Sequence, residues 1–420
     1  MKLFRPYNPF RWLVLGFFWL LPAGLVLAQP RSSAPLLKNE TSPQKNLKVF
    51  DAMWNTVNQK YFDVKFNGID WGAVREQYRP LAEKAESREA LLRVLRKAIG
   101  EMNSSHLSIK LAVSRRQFEQ QVGQKINRHQ DTLVLTLGFE MTTINDQYVI
   151  TGINEGSSAQ AAGIRAGWVL THFDGKALSA NDFEWGGEFS EGKTVSARFQ
   201  DNHRQEKDVR LTYQWLIEKT ERVSRRLEGN IGLIRFSSFA AGTDKWLEQE
   251  LHQYRNAQGL ILDLRSNPGG YMSVLSACLN PFFAREVVFG EFMERGDKDY
   301  RLRIKGSKEN AFTLPLVVLV DNKSSSCSEI FAAAMQETGR GKVVGRRTAG
   351  AVLASVSERL PNDFWLDIAV WDYKTARRRR LEGIGLEPEI TLSLTLENIR
   401  QQRDADIERA LEILKTKAAQ

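Results

Sequence analysis

The spacing of hydrophobic residues changes twice along the chain and predicts three structural regions. The first region is 47–130. From residue 47 to about 102 its apolar residues recur every three or four positions, which is typical of amphipathic helices. Between residues 131 and 213 short runs alternate apolar with polar positions, which predicts β-strands. Over 214–420 apolar strands alternate with helical segments, and this order predicts a mainly parallel sheet covered on both faces. The predicted fold class is α/β, with an N-terminal helical segment and a β-rich domain inserted before the α/β core.

The same pattern places the individual elements. Helices are predicted at 49–61, 71–84, 88–100, 158–162, 244–254, 272–279, 329–338 and 396–417. Strands are predicted at 107–113, 132–137, 147–153, 194–199, 207–212, 231–236, 260–264, 316–320 and 343–344. Ser87 is the expected cap of the helix that follows it, because its hydroxyl can accept a free N–H group of the first turn.

The first 28 residues have the order of a secretory signal peptide. Three positive charges precede an apolar run over 12–27, and Ala28 ends a small-residue cleavage site. We expect cleavage near Ala28 and export of the product to the periplasm or the extracellular space. The alternative is an N-terminal membrane anchor that is not cleaved, since the run is about the shortest that spans a bilayer. Residues 29–46 are polar and rich in Pro and Ser, which predicts a linker.

Composition excludes several classes of protein. Of the 420 residues 42% are hydrophobic and 26% are charged, which rules out a wholly disordered or collagen-like chain. The two cysteines, Cys278 and Cys327, are too few for a disulfide scaffold. Because no His, Cys and Asp residues cluster at ligand spacing, we expect no metal and no cofactor.

A serine-rich turn between a strand and a helix is the first candidate for chemistry. The strand over 316–320 is followed by Ser324, Ser325, Ser326 and Cys327, and then by the predicted helix. A hydroxyl at such a turn lies beside free helix N–H groups, which favour the negative charge that develops in acyl transfer. The alternative is that Ser and Glu only cap the helix.

Two further stretches carry candidate residues. Gly269 and Gly270 follow the strand over 260–264, and paired glycines let backbone N–H groups approach an anion closely. The alternative is an ordinary strand-to-helix turn. Glu382 precedes a glycine-rich turn, where its carboxylate either orients a histidine or is simply solvated.

Together these stretches resemble the C-terminal processing (tail-specific) serine peptidases, a family that includes the tricorn-type core. The matching motifs are LDLRSNPGG (262–270), SSSCSEIFAAAMQETGRGKVVGRRTAGA (324–351) and LEGIGLEPEI (381–390), in the family's order. The resemblance implies a ClpP/crotonase-like peptidase core over 214–420. It also implies that Ser326 is the nucleophile and that Gly269, Gly270 and the amide of Cys327 form the oxyanion hole. A nucleophilic Cys327 is the alternative.

One departure from the family changes the expected base. The tail-specific members use a lysine three residues after the threonine of the GRRTAGA-like stretch, and this chain has Ala351 there. The tricorn-type branch uses Ser, His and Glu, and in this chain His106 and Glu382 match its histidine and carboxylate. A histidine titrates near neutral pH and can accept the serine proton, while a carboxylate supports the imidazolium. The alternative for His106 is a solvated turn residue.

Residues 131–213 resemble a bacterial PDZ domain, with Leu137, Gly138 and Phe139 as its carboxylate-binding loop. The resemblance implies an endopeptidase whose protein or peptide substrates are recruited through their C-termini. The alternative is a catalytically inactive peptidase relic that only binds peptides. The basic run over 377–380 invites a nucleic-acid interpretation, but export and the lack of an aromatic-basic stripe argue against nucleic acid as a partner.

Overall fold

The computed structural model describes residues 41–112, 119, 131–179, 191–296 and 298–418. The predicted signal peptide and residues 29–40 of the predicted linker lie outside the described residues. The first helix begins at Pro43, inside the predicted linker, because the Ser42 hydroxyl accepts the N–H of Lys45 and the proline suits a first helical position.

The elements are numbered here in chain order. The helices of the described residues are α1 (Pro43–Lys60), α2 (Trp71–Glu83), α3 (Arg88–Gly100), α4 (Ser158–Ala161), α5 (Thr243–Gln253), α6 (Met272–Leu279), α7 (Cys327–Glu337), α8 (Leu396–Arg400) and α9 (Ala405–Ala418). The first strands are β1 (Ser108–Leu111), β2 (Asp131–Thr136), β3 (Phe139–Ile144), β4 (Gln147–Ile153), β5 (Val169–Phe173), β6 (Lys176–Ala177), β7 (Thr194–Gln200), β8 (Glu206–Thr212), β9 (Gln214–Lys219) and β10 (Arg222–Leu227). The remaining strands are β11 (Ile231–Phe236), β12 (Gly259–Asp263), β13 (Val287–Glu294), β14 (Lys298–Ile304), β15 (Leu316–Val320), β16 (Lys342–Gly345), β17 (Ala354–Leu360), β18 (Phe364–Lys374) and β19 (Ile390–Thr391).

A central sheet carries the strands that the sequence predicts best. Its order is β10-β11-β12-β15-β16-β19, and all neighbours are parallel except β10 and β11. Strands β12 and β15 are buried along their whole length, as expected of parallel strands covered on both faces. Helices α5, α6 and α7 contribute to the core on one face, and Ala410 and Leu414 of α9 pack on the other. This confirms the predicted mainly parallel core sheet.

A second sheet is antiparallel, and of its strands only β1 was predicted from the sequence. Strand β18 pairs with β17 on one side and with β1 and β13 on the other, and β14 forms the edge beyond β13. Helices α1, α2 and α3 pack their apolar faces against β17 and β18, in a cluster that includes Phe50, Leu95 and Phe364. The N-terminal helices therefore share a core with strands from the C-terminal half of the chain, and Ser87 caps α3 as predicted.

The β-rich middle region forms its own sheet, in the order β3-β4-β5-β7-β8, with β6 on β5. The predicted first strand of this region, β2, does not join that sheet. It pairs instead with β9 in a separate two-stranded ribbon through which the chain enters and leaves the region. Strand β3 is an edge strand of the middle sheet, so one of its sides is unpaired within the described residues.

The prediction of one continuous C-terminal helix over 396–417 is wrong, since the structure has two helices there, α8 and α9. Gln402 has a φ of +55°, and Asp404 then accepts the N–H of Ile407 at the start of α9. The Asp404 carboxylate also pairs with the half-buried Arg265 at 2.8 Å. Because Arg265 and its neighbour Arg346 both pair with the buried Asp406 as well, ion pairs tie α9 to the ends of β12 and β16.

Candidate active site

Ser326 lies in the turn between β15 and α7. The turn is built on Asp321, whose Oδ1 accepts the N–H groups of Lys323 and Ser324 at 3.0 Å. Ser326 has a φ of +55° and a ψ of −118°, a conformation that residues other than glycine rarely adopt. Its N–H donates to the carbonyl of Ala351 at 2.7 Å, so a neighbouring segment holds the strained backbone. The half-buried Ser326 side chain lines a cleft.

Two neighbouring serines have structural roles. The Ser324 hydroxyl donates to the carbonyl of Leu264 at 2.8 Å, and the Ser328 hydroxyl donates to the carbonyl of Asn267 at 2.9 Å. Both side chains are fully buried. They hold the turn against the loop that follows β12, and Ser326 is the serine of this turn that lines the cleft.

Two backbone N–H groups beside Ser326 have no internal acceptor in the described part of the chain. The carbonyl of Gly269 accepts the N–H of Phe239 at 2.8 Å, so in a trans peptide the N–H of Gly270 points the opposite way. The carbonyl of Ser326 accepts helix N–H groups, so the N–H of Cys327 points out of the N-terminus of α7. Both groups can donate to an oxygen bound beside Ser326, as stabilisation of an oxyanion requires.

Gly269 supplies space and not a donor. Its N–H donates to Oδ1 of Asn267 at 2.9 Å, which removes it from the donor set expected from the sequence. Its φ is +100°, and a Cβ there would lie 2.7 Å from Cβ of Ser326 and 2.9 Å from N of Cys327. A glycine is needed here because any side chain would push the two segments apart.

Replacing Gly270 with alanine is expected to lower kcat by about 10²-fold or more, the usual effect of losing one oxyanion donor. Its φ is +150°, and a Cβ would lie 2.5 Å from the carbonyl oxygen of Phe239, so the backbone and its N–H must turn. Gly175→Ala is the matched control, because Gly175 has a φ of +79° but open space around it. The measurement is kcat on a fluorogenic peptide, and equal losses in the two variants would contradict the assignment.

The thiol of Cys327 is buried and protonated. Its Sγ donates to the carbonyl of Gly270 at 3.3 Å, and the side chain is fully buried. Burial raises the pKa of Cys327 to about 12. Since the thiolate is the nucleophilic form of cysteine, this environment disfavours Cys327 as the nucleophile.

His106 reaches the same cleft as Ser326 from the turn before β1. Its Nδ1 lies 2.7 Å from Oγ of Ser105, a residue that sequence reasoning missed. Glu382 accepts the backbone N–H of Ser105 at 3.3 Å and that of Val352 at 2.9 Å. In the described part of the chain no hydrogen bond joins the His106 ring directly to Ser326 or Glu382. Ser105 therefore stands between the carboxylate and the imidazole, and its place directly before His106 was the only signal for it.

The surroundings of His106 favour its neutral form. Burial lowers the pKa of His106 below its ordinary value of 6.5, while the negative charges of Glu382 and Asp367 oppose that shift. A neutral imidazole can accept a proton, which a protonated one cannot. The lowered pKa therefore favours an imidazole that can accept a proton at neutral pH.

Glu329 joins the nucleophile turn to the segment that contains Ala351. Its fully buried carboxylate accepts the N–H groups of Ser326, Gly350 and Ala351 at 3.2, 2.8 and 2.8 Å. Burial raises the pKa of Glu329, and these donors oppose that rise. The position at which tail-specific peptidases have their lysine is thus next to Ser326, but it holds only a methyl group.

Lys342 cannot replace that lysine, because it lies at the other end of the central sheet. It begins β16 opposite Val317, near the start of β15, whereas Ser326 follows the end of β15. Its Nζ pairs with Glu389 at 2.9 Å. His106 does line the cleft, and a neutral imidazole can accept a proton.

The cleft has a volume of about 740 Å³ and mostly apolar walls. Helices α6 and α7 form one side with Met272 and Ile330, and the antiparallel sheet forms the other with Phe292 and Trp371. The polar groups at its edge include Glu294 and Arg303, which have opposite charges. Such walls suit a polypeptide with apolar side chains.

The predicted carboxylate-binding loop lies just before the edge strand β3. The side chains of Leu137 and Phe139 are buried in the core of the middle region, and Phe139 meets Phe199 edge to face. The N–H of Gly138 donates to Oγ1 of Thr136 at 2.9 Å. One residue further along, Glu140 pairs with Lys323 of the nucleophile turn at 2.9 Å, so the two regions touch beside the candidate site.

The basic run over 377–380 is bound to the protein itself. Nε of Arg379 pairs with Glu337 at 2.8 Å, and Nε of Arg380 pairs with Asp372 at 2.9 Å. Both carboxylates are buried. Burying these carboxylates without a partner would be costly, so the arginines of the run have a structural role that does not involve nucleic acid.

No group of three or more His, Cys, Asp or Glu side chains in the described ranges is placed to hold a metal ion. None of the helices in those ranges is long and apolar enough to cross a membrane.

Comparison with known families and proteins gives consistent matches. Residues 230–392 match the model of peptidase family S41, and residues 42–100 match the C1 domain of tricorn protease. A carboxyl-terminal-processing protease of Synechocystis is 25% identical over 96% of this chain and 93% of its own length. A CtpA-like serine protease of Staphylococcus aureus is 25% identical over 61% of this chain, which spans about half (52%) of that relative. Among solved structures, the photosystem II D1 C-terminal processing protease superposes with a TM-score of 0.54 at 22% identity, covering 83% of this chain and 93% of that one.

Proposed function

Because this chain is a serine peptidase of family S41, homologous to carboxyl-terminal-processing proteases, we propose that it hydrolyses proteins with Ser326, His106 and Glu382. The observation that carries the proposal is the cleft itself. Ser326, His106 and Gly270 line it together, although they come from distant parts of the sequence. With alanine at the usual lysine position, histidine takes over the role of the base.

The reaction follows from the order of these groups. In the proposed tautomer Nδ1 of His106 carries the proton that it shares with Oγ of Ser105, 2.7 Å away, so that Nε2 accepts the hydroxyl proton of Ser326. The serine oxygen attacks the peptide carbonyl, and the N–H groups of Gly270 and Cys327 stabilise the resulting oxyanion. His106 then gives its proton to the leaving amine, so that an acyl-enzyme remains. A water molecule, deprotonated by the same imidazole, releases the acid product and restores the serine.

Glu382 supports this cycle electrostatically. Its carboxylate is fixed by the N–H groups of Ser105 and Val352, so it cannot swing away from the imidazole. A fixed negative charge stabilises the imidazolium that forms when His106 takes the proton. Ser105 acts as a positioning residue, because it joins Glu382 to Nδ1 of His106.

The nucleophile is tested with a fluorophosphonate probe that labels activated serines. Wild-type protein should be labelled and Ser326→Ala should not, because only an activated hydroxyl reacts. Ser325→Ala is the matched control, since it removes the adjacent half-buried hydroxyl and should leave labelling unchanged. Labelling that persists in Ser326→Ala would contradict the assignment. Absence of labelling in folded wild-type protein, with peptide binding retained, would favour the inactive relic.

Recruitment through substrate C-termini is the second part of the proposal. Residues 131–213 serve as the PDZ domain, and β3 offers an unpaired edge to which an extended peptide can add as a strand. The N–H of Gly138, which now donates to the Thr136 hydroxyl, would donate to the terminal carboxylate. The name of the Synechocystis relative, a carboxyl-terminal-processing protease, is consistent with such substrates. Export, proposed from residues 1–28, would give access to proteins outside the cytoplasm.

We expect Ser326→Ala protein to bind a labelled peptide with an apolar C-terminus about tenfold more tightly than the same peptide with its C-terminus amidated. The reason is that amidation removes the charge that backbone N–H groups recognise. Fluorescence anisotropy gives both affinities. A cyclic peptide, which has neither a free nor an amidated C-terminus, serves as the reference. Equal affinities for the two end groups would show that C-termini are not recognised.

A further inference from the structure

Two exposed tyrosines stand in the cleft that contains Ser326. Tyr271 is 53% exposed and Tyr300 is 68% exposed, whereas most large apolar side chains of the described residues are buried. Only Val64, Leu81 and Ile384 join them among the exposed large apolar residues described, and none of these lines the cleft. Exposed aromatic rings within a cleft are typical of surfaces that bind a partner.

The backbone of Tyr271 is fixed next to the oxyanion donor. Tyr271 directly follows Gly270, and its N–H donates to the carbonyl of Phe239 at 3.0 Å. Its own carbonyl accepts the N–H of Leu275 in the first turn of α6. The backbone from which the ring extends is therefore held beside the cleft, one residue from the proposed oxyanion donor.

Tyr300 reaches the cleft from the edge strand β14. It lies directly opposite Phe292 of β13, so the two side chains stand on the same face of the antiparallel sheet. Phe292 stacks on Trp371 at 6.0 Å between ring centres, and all three rings line the cleft. Tyr300 thus extends a buried aromatic surface outward to solvent.

From this arrangement we infer that Tyr271 and Tyr300 are specificity-determining residues that bind large apolar side chains of the substrate on both sides of the cleft. The inference rests on the proposed peptidase function, because it takes an extended substrate chain to be the molecule that occupies the cleft. Helix α6 packs against β14, so the two tyrosines belong to elements in contact. Glu294 and Arg303 also line the cleft, and Arg303 pairs with Glu286 at 3.3 Å.

The test uses Ser326→Ala protein, so that binding is read without hydrolysis and does not depend on the catalytic triad. Two fluorescein-labelled peptides are compared that differ only at their centre, Leu-Phe in one and Ser-Asn in the other. Tyr271→Ser and Tyr300→Ser should each weaken binding of the Leu-Phe peptide about three- to tenfold, the range of an aromatic contact. Binding of the Ser-Asn peptide should not change, and Tyr→Phe at each position should restore affinity.

Leu81→Ser is the matched control, since Leu81 is 50% exposed on α2 and lies outside the cleft. In the active enzyme the same tyrosine changes should raise KM for the Leu-Phe peptide and leave kcat nearly unchanged. Equal weakening of both peptides, an equal effect of Leu81→Ser, or no effect of either tyrosine change would overturn the inference. Loss of hydrolysis alone would instead count against the proposed triad.

Discussion

Replacing His106 with alanine is expected to lower kcat by about 10⁴-fold or more, close to the loss caused by Ser326→Ala. A serine hydroxyl is a poor nucleophile unless a neighbouring base accepts its proton, and His106, which lines the same cleft, is the proposed base. If the two residues act as one unit, the double variant should be no worse than either single one. Single-turnover and steady-state rates on a fluorogenic peptide measure both losses.

Lys342→Ala is the matched control for this experiment. Lys342 sits at the far end of the central sheet in an exposed ion pair with Glu389, so its loss should change kcat little. A folded His106→Ala protein that keeps wild-type turnover would refute the triad, and so would a folded Lys342→Ala protein without activity. Introducing a lysine at the position where tail-specific peptidases have theirs is a second check of the base. Ala351→Lys places an amine beside Ser326, because the carbonyl of Ala351 accepts the N–H of Ser326.

The sequence predicts the four inner strands of the central sheet, because they are mostly apolar, but it misses the edge strands β10 and β19. Strands β11 and β15 match their predicted bounds to the residue, since both are short, largely apolar runs between turn signals. Strand β14 was missed for the opposite reason. Four of the seven residues in Lys298–Ile304 are charged, and its strand conformation depends on pairing with the distant β13.

For the candidate site, the sequence supplies the residue types and the structure supplies the geometry between them. The resemblance to the peptidase family singles out Ser326 among four serines, and its φ of +55° and its place in the cleft fit that choice. Spacing could not show that the N–H of Gly269 is bound to Asn267, because that bond depends on how the loop folds. Ser105 was missed in the same way, since its hydroxyl contacts His106 while its backbone N–H donates to Glu382, which lies 277 positions further along the chain.

The pH dependence of kcat/KM should reveal the state of His106 in the free enzyme. Only the neutral imidazole can accept the serine proton, so activity rises with pH through the pKa of His106. Burial lowers that pKa below 6.5, so we expect the acidic limb of the profile to lie below pH 6.5. If a lysine were the base, the acidic limb would follow the pKa of its amine. Burial lowers that pKa, but it normally still lies at much higher pH.

Glu382→Gln should change this profile in two ways. The Glu382 charge raises the pKa of His106 against the effect of burial, so removing it should move the acidic limb to still lower pH. The limiting kcat should fall by roughly 10- to 100-fold, less than in His106→Ala, because the imidazole is still present but its charged form is poorly supported. Asp367→Asn is the matched control, since Asp367 also raises the pKa of His106, by a smaller effect, but lies in a cluster with Ser108 and Lys110. It should shift the limb slightly and leave the limiting kcat unchanged. A Glu382→Gln profile that shifts to higher pH, or that falls in rate without shifting, would mean that Glu382 only holds the fold together.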